Sequence, residues 1–296
     1  MCEYGVGEAL GWSGGVTVLV QLSFFIVAAY FEFDKVTDFA GGTNFVLLAI
    51  LGLLLEHTYL ARQILITACI VVWGTRLSGY LLIRVLKTGK DARFDKLNRG
   101  FSLEFAGFWL GQAVWVWVVS LPVTLINAQC GQAPQLGAWD YVGAAVFGVG
   151  LVLETVADQQ KFEFKNDEAN KGRMCVVGTW SWSRHPNYFG EMLVWLGVFL
   201  MAVGAGLGWM WLLLAAMSPL LVTVLLLFVS GMPILEANAA RDYGETDEYK
   251  KYVSETSILF PVPPSVYAGL PSWVKTTVLC EWPMYGVAAD AYTRVD

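Results

Sequence analysis

The sequence predicts an all-α membrane protein with about seven transmembrane helices, and three observations lead to that class. Hydrophobic residues make up 56% of the 296 residues, charged residues make up 15%, and the mean hydropathy is +0.54. An ordinary soluble domain carries about 25% charged residues. The 13 Trp and 17 Phe suit a lipid-facing surface with aromatic side chains at both interfaces. The net charge of -6 argues against nucleic acid as a partner.

Seven apolar stretches are each long enough to cross a bilayer, which takes about 20 helical residues. We place them at residues 13–31, 44–61, 63–84, 105–127, 139–157, 187–204 and 207–231. The segment 232–260 is expected to be a cytoplasmic helix that the prolines of FPVPP end. Residues 266–296 are expected to form an apolar, aromatic tail lying along the membrane interface.

Basic residues set the expected orientation, because short loops rich in Lys and Arg stay cytoplasmic. The loops after the third and fifth spans and the segment after the seventh are basic, whereas the loops after the fourth and sixth hold no Lys or Arg. Only Arg62 breaks this alternation. The N-terminus is therefore expected outside and the C-terminus in the cytoplasm. The membrane itself is expected to be that of the endoplasmic reticulum or of another organelle. The basic residues after the third span are Lys87, Lys90, Arg93, Lys96 and Arg99.

Cysteine and histidine usage predicts neither a metal site nor a disulfide. The chain has 5 Cys and 2 His, and no two cysteines have CxxC spacing, so no zinc-binding set can be assembled. The number of cysteines is odd and they fall on different predicted faces, which argues against disulfides.

The stretch GTWSWSRHPNYFGE, residues 178–191, places polar side chains at the start of an apolar helix. Pro186 suits a first helical turn, and a helix N-terminus beside an Arg is a ready anion site. An interfacial anchor that merely caps a membrane helix is the alternative. Glu191 weakens that alternative, because an unpaired carboxylate one turn into a span is costly. The polar members of the motif are Arg184, His185, Asn187, Tyr188 and Glu191.

A polar stripe precedes this motif on the fifth predicted span. Its members recur at helical spacing over roughly 16 Å of axis, and they are Glu154, Asp158, Lys161 and Lys165. The stripe has the length to run beside a pyrophosphate and ribose, with Asp158 on hydroxyls, Lys165 on phosphate and Arg173 as a further cation. The alternative is that the stripe is a solvated helix face with ion pairs. Glu154 does not fit that alternative, because it lies within the apolar segment.

The third span and the first loop supply the candidates for substrate chemistry. Arg76, Tyr80 and Arg84 share one helical face. Arg76 lies well inside the apolar stretch, and an Arg there is a functional candidate. The alternative is that the side chain snorkels towards the basic loop, which fits Arg84 better than Arg76. In the loop DKVTDFAGGTNF, Asp38 is a candidate acid or a helix N-cap, and the Gly-Gly pair permits a tight re-entrant turn.

Three strings give the chain a family resemblance: GTWSWSRHPNYFGE, WGTRLSGYLLIRVLKTGKDARF (73–94) and FPVPP (260–264). Together they resemble the DUF1295 membrane family, which is related to the C-terminal domain of steroid 5-alpha-reductases. The resemblance runs from about residue 34 to 285. The RHPNYFG string is shared more widely, with sterol C14/C7 reductases and, as RHPxYxG, with isoprenylcysteine carboxyl methyltransferases.

The resemblance implies an NADPH pocket facing the cytoplasm. The positions that match it are Asp158, Lys165, Arg173, Asn187 and Glu191. Lys165 stands where the steroid reductases have Arg, and Glu154 stands where they have Asn. We assign to the same pocket Glu154, Arg184, His185 and Tyr188.

The resemblance carries over less well for catalysis. The steroid reductases use a Glu and a Tyr to polarise the enone oxygen, and Asp38 falls near the Glu position. The strict Tyr position holds Trp73, which cannot donate a phenolic proton, and Tyr80 lies two turns away. Asp38 and Tyr80 are therefore the catalytic candidates, and Trp73, Arg76 and Arg84 are assigned to the substrate cavity.

Three functions remain open. The first is an NADPH-dependent reductase of a conjugated C=C bond in a lipophilic, sterol-like or fatty substrate. The second is a structural subunit of a membrane complex that keeps the reductase fold without turnover. The third is an S-adenosylmethionine-dependent, lipid-directed methyltransferase. We expect one transmembrane domain, 1–265, with a substrate half (34–127) and a cofactor half (139–265), followed by the tail.

Overall fold

The computed structural model describes residues 5–88, 98–130 and 134–285. Lys90, Arg93 and Lys96 of the basic loop and the last eleven residues of the tail lie outside this part. The described residues form twelve α-helices. They are α1 (Val6–Tyr30), α2 (Thr37–Glu56), α3 (Ala61–Thr88), α4 (Leu103–Val119), α5 (Leu121–Asn127), α6 (Ala138–Asn166), α7 (Pro186–Gly204), α8 (Trp209–Val224), α9 (Met232–Tyr243), α10 (Asp247–Glu255), α11 (Pro264–Gly269) and α12 (Ser272–Thr277).

The predicted all-α membrane fold is confirmed. Among the described residues, six helical stretches are long and apolar enough to cross a membrane, and the pair α4–α5 makes a seventh if it counts as one span. Five of the six are α1, α2, α3, α6 and α7, and the sixth, Trp209–Tyr243, runs through α8 and α9. That pair bends by 46°. Pro122 lies in the first turn of α5, where its missing N–H costs no hydrogen bond, so the chain can restart a helix there.

The segment 232–260 is not the single helix that the sequence suggested. It forms α9 and α10, and α9 ends at Tyr243. The Thr246 side chain accepts a hydrogen bond from the backbone N–H of Tyr249 and so begins α10 as its N-cap. Helix α10 ends at Glu255, five residues before the FPVPP string begins.

The chain divides into two compact units. Unit A comprises Met1–Phe147 and Trp195–Leu221, and unit B comprises Gly148–Val194 and Val222–Asp296. The division into a substrate half and a cofactor half stays a prediction. Each unit is described by itself below.

Unit A has a buried aromatic centre. Trp73 and Trp195 are fully buried, and their ring centroids lie 4.9 Å apart. The Phe45 ring packs against both. The Gly-Gly pair lies inside α2 and is not the tight turn that the sequence permitted. A Cβ at Gly42 would stand 2.2 Å from the Ser78 hydroxyl oxygen, so the pair lets α3 approach α2 closely.

Arg62, the exception to the charge alternation, is a buried structural residue of unit A. Its Nε and one Nη donate to the Asp140 carboxylate at 2.6 and 2.8 Å. Its remaining donors reach the carbonyls of Pro134 and Gln135. The guanidinium therefore ties the start of α3 to the start of α6 and carries no information about membrane side.

The expectation of no disulfide is wrong at one position. Cys130, just after α5, is disulfide-bonded, whereas Cys69, Cys175 and Cys280 are free. An odd number of cysteines leaves at least one thiol free, but it does not prevent the others from pairing.

In unit B, helices α6 and α7 pack through glycines. A Cβ at Gly150 would stand 2.6 Å from the Gly190 carbonyl oxygen, and one at Gly190 would stand 2.7 Å from the Glu154 nitrogen. The start of α7 is thereby held against the polar stripe of α6. The C-terminal segment completes the unit, since Tyr285 is buried and donates from its hydroxyl to the Leu227 carbonyl. Leu227 lies in a π-helical turn, Leu225–Val229, which follows α8.

Candidate functional site

The motif at residues 178–191 folds as a hub of unit B. A short 3-10 turn, Gly178–Ser181, is anchored by the Trp180 indole N–H, which donates to the Ala157 carbonyl at 2.8 Å. The Ser183 hydroxyl donates to the Leu259 carbonyl, and the Arg184 backbone N–H donates to the Ser257 carbonyl. These bonds fix the chain immediately before Pro186, where α7 begins.

Arg184 is buried between two carboxylates. Its Nη1 lies 3.1 Å from Glu236 Oε2, and its Nη2 contacts Glu281 Oε1. The Tyr267 hydroxyl donates to the other Glu281 oxygen at 2.8 Å. Burial lowers the pKa of Arg184, but the charges of Glu236 and Glu281 raise it more, so it lies above its ordinary value. The guanidinium therefore stays charged and already has two anionic partners.

His185 is buried and shares the Glu236 carboxylate. Its Nε2 lies 2.8 Å from Glu236 Oε1, and its ring stacks on Tyr188 with centroids 5.4 Å apart. Burial lowers the pKa of His185, and its hydrogen bond to the Glu236 carboxylate only partly offsets this. The imidazole is therefore neutral near pH 7, and its Nε2–H donates to Glu236. Its Nδ1 is then an acceptor, and it has no partner among the described residues.

The polar stripe of α6 divides into a buried and an exposed part. Glu154 and Asp158 are buried, and Asp158 Oδ1 accepts a hydrogen bond from Asn187 Nδ2 at 3.2 Å. Two residues of the predicted cofactor pocket, 29 positions apart in sequence, are thus in contact. Lys161 lies between the two parts, with its Nζ 4.2 Å from the Trp180 ring centroid.

The exposed part of the stripe carries Lys165. Its Nζ donates to the Arg173 carbonyl at 3.0 Å and to the Tyr243 hydroxyl at 3.2 Å. The Arg173 side chain is exposed. Within the described residues, neither Lys165 nor Arg173 has a carboxylate partner, so both charges face solvent.

Tyr188 and Glu191 are half-buried on the first turns of α7. Tyr188 packs beneath His185 and against the hydrophobic cluster of Leu227, Met232 and Ile258. The expectation that Glu191 points towards a cytoplasmic cavity, within reach of Asn187 or a cofactor amide, stays a prediction.

In unit A, the two catalytic candidates meet at one arginine. Arg84 Nη2 lies 3.5 Å from Asp38 Oδ2, and its Cζ lies 5.9 Å from the Tyr80 ring centroid. Arg76 approaches the same ring at 5.7 Å. Asp38 lies in the first turn of α2, and the N-cap is Val36. Trp73 is fully buried. The roles of all five residues stay predictions.

Sequence reasoning did not assign Glu236 of α9 to the unit B site, and it missed three further residues there. Glu281 and Tyr267 come from the C-terminal segment, and Ser257 pairs with Ser183 in an isolated parallel bridge. Glu281 left a signal, since it is the only acidic residue between 266 and 285. A carboxylate in so apolar a segment needs a cation, and Arg184 is that cation. Ser257 left no such signal. Among the described residues, no group of acidic, Cys or His side chains has a metal-binding arrangement.

Comparisons with known proteins bear on the family. The family described as "Protein of unknown function (DUF1295)" matches residues 24–256. An uncharacterized protein of Schizosaccharomyces pombe is 32% identical over an alignment of 107 residues that covers 30% of this chain and 31% of the yeast protein. The similar stretch thus spans less than a third of that relative. No solved structure matches the chain.

Proposed function

The chain belongs to the DUF1295 family, and we propose that this member is an NADPH-dependent reductase of a conjugated C=C bond in a lipophilic substrate. The observation that carries the proposal is the contact between Asp158 of α6 and Asn187 of α7. These side chains come from the two segments that the steroid-reductase resemblance assigns to the cofactor, and one unit holds them together.

The polar groups of unit B fit a dinucleotide in two respects. Lys165 and Arg173 offer exposed cations without carboxylate partners in the described chain, which suits phosphate oxygens. Asp158 offers carboxylate oxygens that suit ribose hydroxyls. When bound, NADPH would supply the hydride. The chain's own residues would bind and orient the dinucleotide and position its phosphates.

The substrate carbonyl would need a hydrogen-bond donor to stabilise the enolate. Tyr80 is the candidate donor, and its ring centroid lies 5.7 Å from the Arg76 Cζ and 5.9 Å from the Arg84 Cζ. Arg84, which contacts both Tyr80 and Asp38, would orient the two candidates.

A structural subunit without turnover is the second candidate function. The burial of Trp73 favours it, because the strict Tyr position of the resembled reductases holds an indole packed between Phe45 and Trp195. Such a side chain fills a core and offers no phenolic proton. Co-purification with a fixed partner and without a nucleotide would support this function.

The test is nucleotide affinity in two single variants. Arg173→Ala and Asn187→Ala should each weaken NADPH binding, since a hydrogen bond to a charged group contributes roughly 1.5–3 kcal/mol, or about 10- to 150-fold. The Arg173 effect should shrink at high salt, because the side chain is exposed. Arg241→Ala is the matched control, since Arg241 is an exposed arginine that pairs with Asp242. Unchanged affinity in both variants would refute the pocket.

A further inference from the structure

Residues 264–285, here called the strap, dock onto unit B through their side chains. They contain α11 and α12, which have six residues each and are too short to be stable by themselves. In the described chain, the backbone hydrogen bonds of the strap all stay within residues 263–285. The region that matches the family ends at residue 256, before the strap begins. Side-chain contacts therefore hold the strap in place.

The inner face of the strap reaches the motif at the start of α7. Glu281 pairs with the buried Arg184, and the Tyr267 hydroxyl donates to the other Glu281 oxygen at 2.8 Å. The Tyr285 hydroxyl donates to the Leu227 carbonyl at 2.9 Å. Tyr267 and Tyr285 are both buried. Removing one partner of a buried ion pair is costly, because it leaves an uncompensated charge. The strap and the motif thus stabilise each other.

The outer face of the strap is apolar and exposed. Val266, Trp273 and Val278 are 53%, 67% and 55% exposed. Lys275 and Glu281 are the two charged residues of the strap, and Glu281 is used on the inner face. The outer face therefore combines large apolar side chains with a single cation, a composition that suits the interface between lipid and water.

The strap also adjoins a membrane span. Trp282 stacks on Phe228 with ring centroids 5.1 Å apart. Phe228 belongs to the apolar stretch Trp209–Tyr243, which is long enough to cross a membrane, and its ring is partly exposed. The surface that this stretch offers to lipid therefore continues onto the strap. The bilayer interface is the partner whose chemistry and position fit the outer face.

We propose that the strap is a membrane-dependent latch on the motif at residues 178–191. Contact of Trp273 and its apolar neighbours with the bilayer interface keeps the strap docked, and the docked strap keeps Glu281 on Arg184. When the strap leaves, Arg184 keeps only Glu236 as a carboxylate partner and the start of α7 loosens. The inference concerns control of the motif by lipid and does not depend on NADPH binding.

Photocrosslinking tests the lipid contact. The full-length protein with p-benzoylphenylalanine in place of Trp273, held in phosphatidylcholine nanodiscs, should crosslink to phospholipid, which mass spectrometry detects on the peptide. The same replacement at Lys250 is the control, because Lys250 lies exposed on the polar helix α10, and it should give no lipid adduct. Absence of an adduct at position 273 would overturn the latch. A crosslink there to a second copy of the chain would assign the outer face to a dimer and would overturn it too.

Hydrogen–deuterium exchange in the same nanodiscs tests the coupling. Trp273→Ser should accelerate exchange in the strap and in the peptide that contains Arg184 on the order of 10-fold, because lipid contact no longer suppresses opening of the latch. The reporter in the motif is the Arg184 backbone N–H, which donates to the Ser257 carbonyl. Trp209→Ser is the matched control, since Trp209 is 71% exposed and lies in α8, outside the strap. It should change neither peptide.

Glu281→Gln separates the two faces of the strap. It removes the charge that pairs with Arg184 and leaves the outer face intact, so the lipid adduct at position 273 should persist while the Arg184 peptide exchanges several-fold faster. Unchanged exchange in α2 reports that unit A stays folded in each variant. A lipid adduct combined with unchanged Arg184 exchange in Trp273→Ser would make the strap a passive anchor and overturn the latch.

Discussion

His185 should make the stability of the protein depend on pH. Burial lowers its pKa below the ordinary value of 6.5, so the unfolded chain binds more protons than the folded chain once the pH falls below about 6.5. The contribution of neutral His185 to the free energy of unfolding is fully present above that pH. It is lost as the pH falls towards the pKa of His185 in the folded protein. Glu236 opposes the shift, whereas Lys161 and Arg184 reinforce it. The melting temperature in detergent should therefore fall between pH 7.5 and 5.5.

His185→Gln should flatten this pH dependence, because the titrating group is gone. His57 is the other histidine of the chain and lies exposed after α2. His57→Gln is thus the natural control and should keep the slope of the unmodified protein. An equal slope in the His185 variant would show that other groups govern the pH dependence.

The sequence identified the polar residues of unit B but not their partners. Spacing placed Asp158 and Asn187 on neighbouring helix ends, and their contact follows from that placement. The partners of Arg184 are 52 and 97 positions away, and no periodicity relates residues so distant. This is why the motif suggested an anion site, whereas tertiary folding brings two carboxylates to its arginine.

Helices α6 and α7 depend on close packing between glycines. Gly143 faces Gly197 in unit A, and Gly150 faces Gly190 in unit B, so the glycines recur every seven residues on each helix. Gly150→Ala would push a methyl group to 2.6 Å from the Gly190 carbonyl oxygen. We expect the free energy of unfolding to fall by about 1–3 kcal/mol, because the obstructing atom belongs to the backbone and cannot move aside.

Gly148→Ala is the matched control for this packing. It lies in the same helix, and a Cβ there meets nothing within 4 Å. The free energy of unfolding of the Gly148→Ala protein should change by less than about 1 kcal/mol, and the higher helix propensity of Ala favours a small gain. Reversible unfolding in mixed micelles measures both variants. A Gly150 variant as stable as the Gly148 variant would mean that the helices do not approach so closely.

Composition and length predicted the spans well because a bilayer-crossing helix needs only a long apolar stretch. Their ends and irregularities depend on contacts and were less predictable. Helix α1 begins seven residues earlier than its predicted span, and the fourth span breaks at Ser120. The Gly-Gly pair illustrates the same limit, since a turn and a helix contact both require small residues and only the packing of Ser78 decides between them.

The disulfide at Cys130 bears on the orientation of the whole molecule. Disulfides persist in oxidising compartments and are rare in the cytosol. Cys130 lies in the connection between α5 and α6, which holds no Lys or Arg. The redox argument and the charge argument are independent, and both predict that this connection lies on the non-cytoplasmic side. The buried Arg62–Asp140 pair removes the one exception to the charge alternation.

Helix α6 offers the sharpest test of that orientation. Its 29 residues extend roughly 43 Å at 1.5 Å per residue, which exceeds a hydrocarbon core of about 30 Å. Cysteines introduced at the exposed Ala138 and Glu168, which flank the helix, should therefore react from opposite sides with a membrane-impermeant maleimide. Glu168→Cys should be labelled only once the cytoplasmic face is accessible, and Ala138→Cys only from the other face. The reverse pattern would mean that the protein has the opposite orientation in the membrane. Labelling of both cysteines from one face would mean that α6 does not cross the membrane.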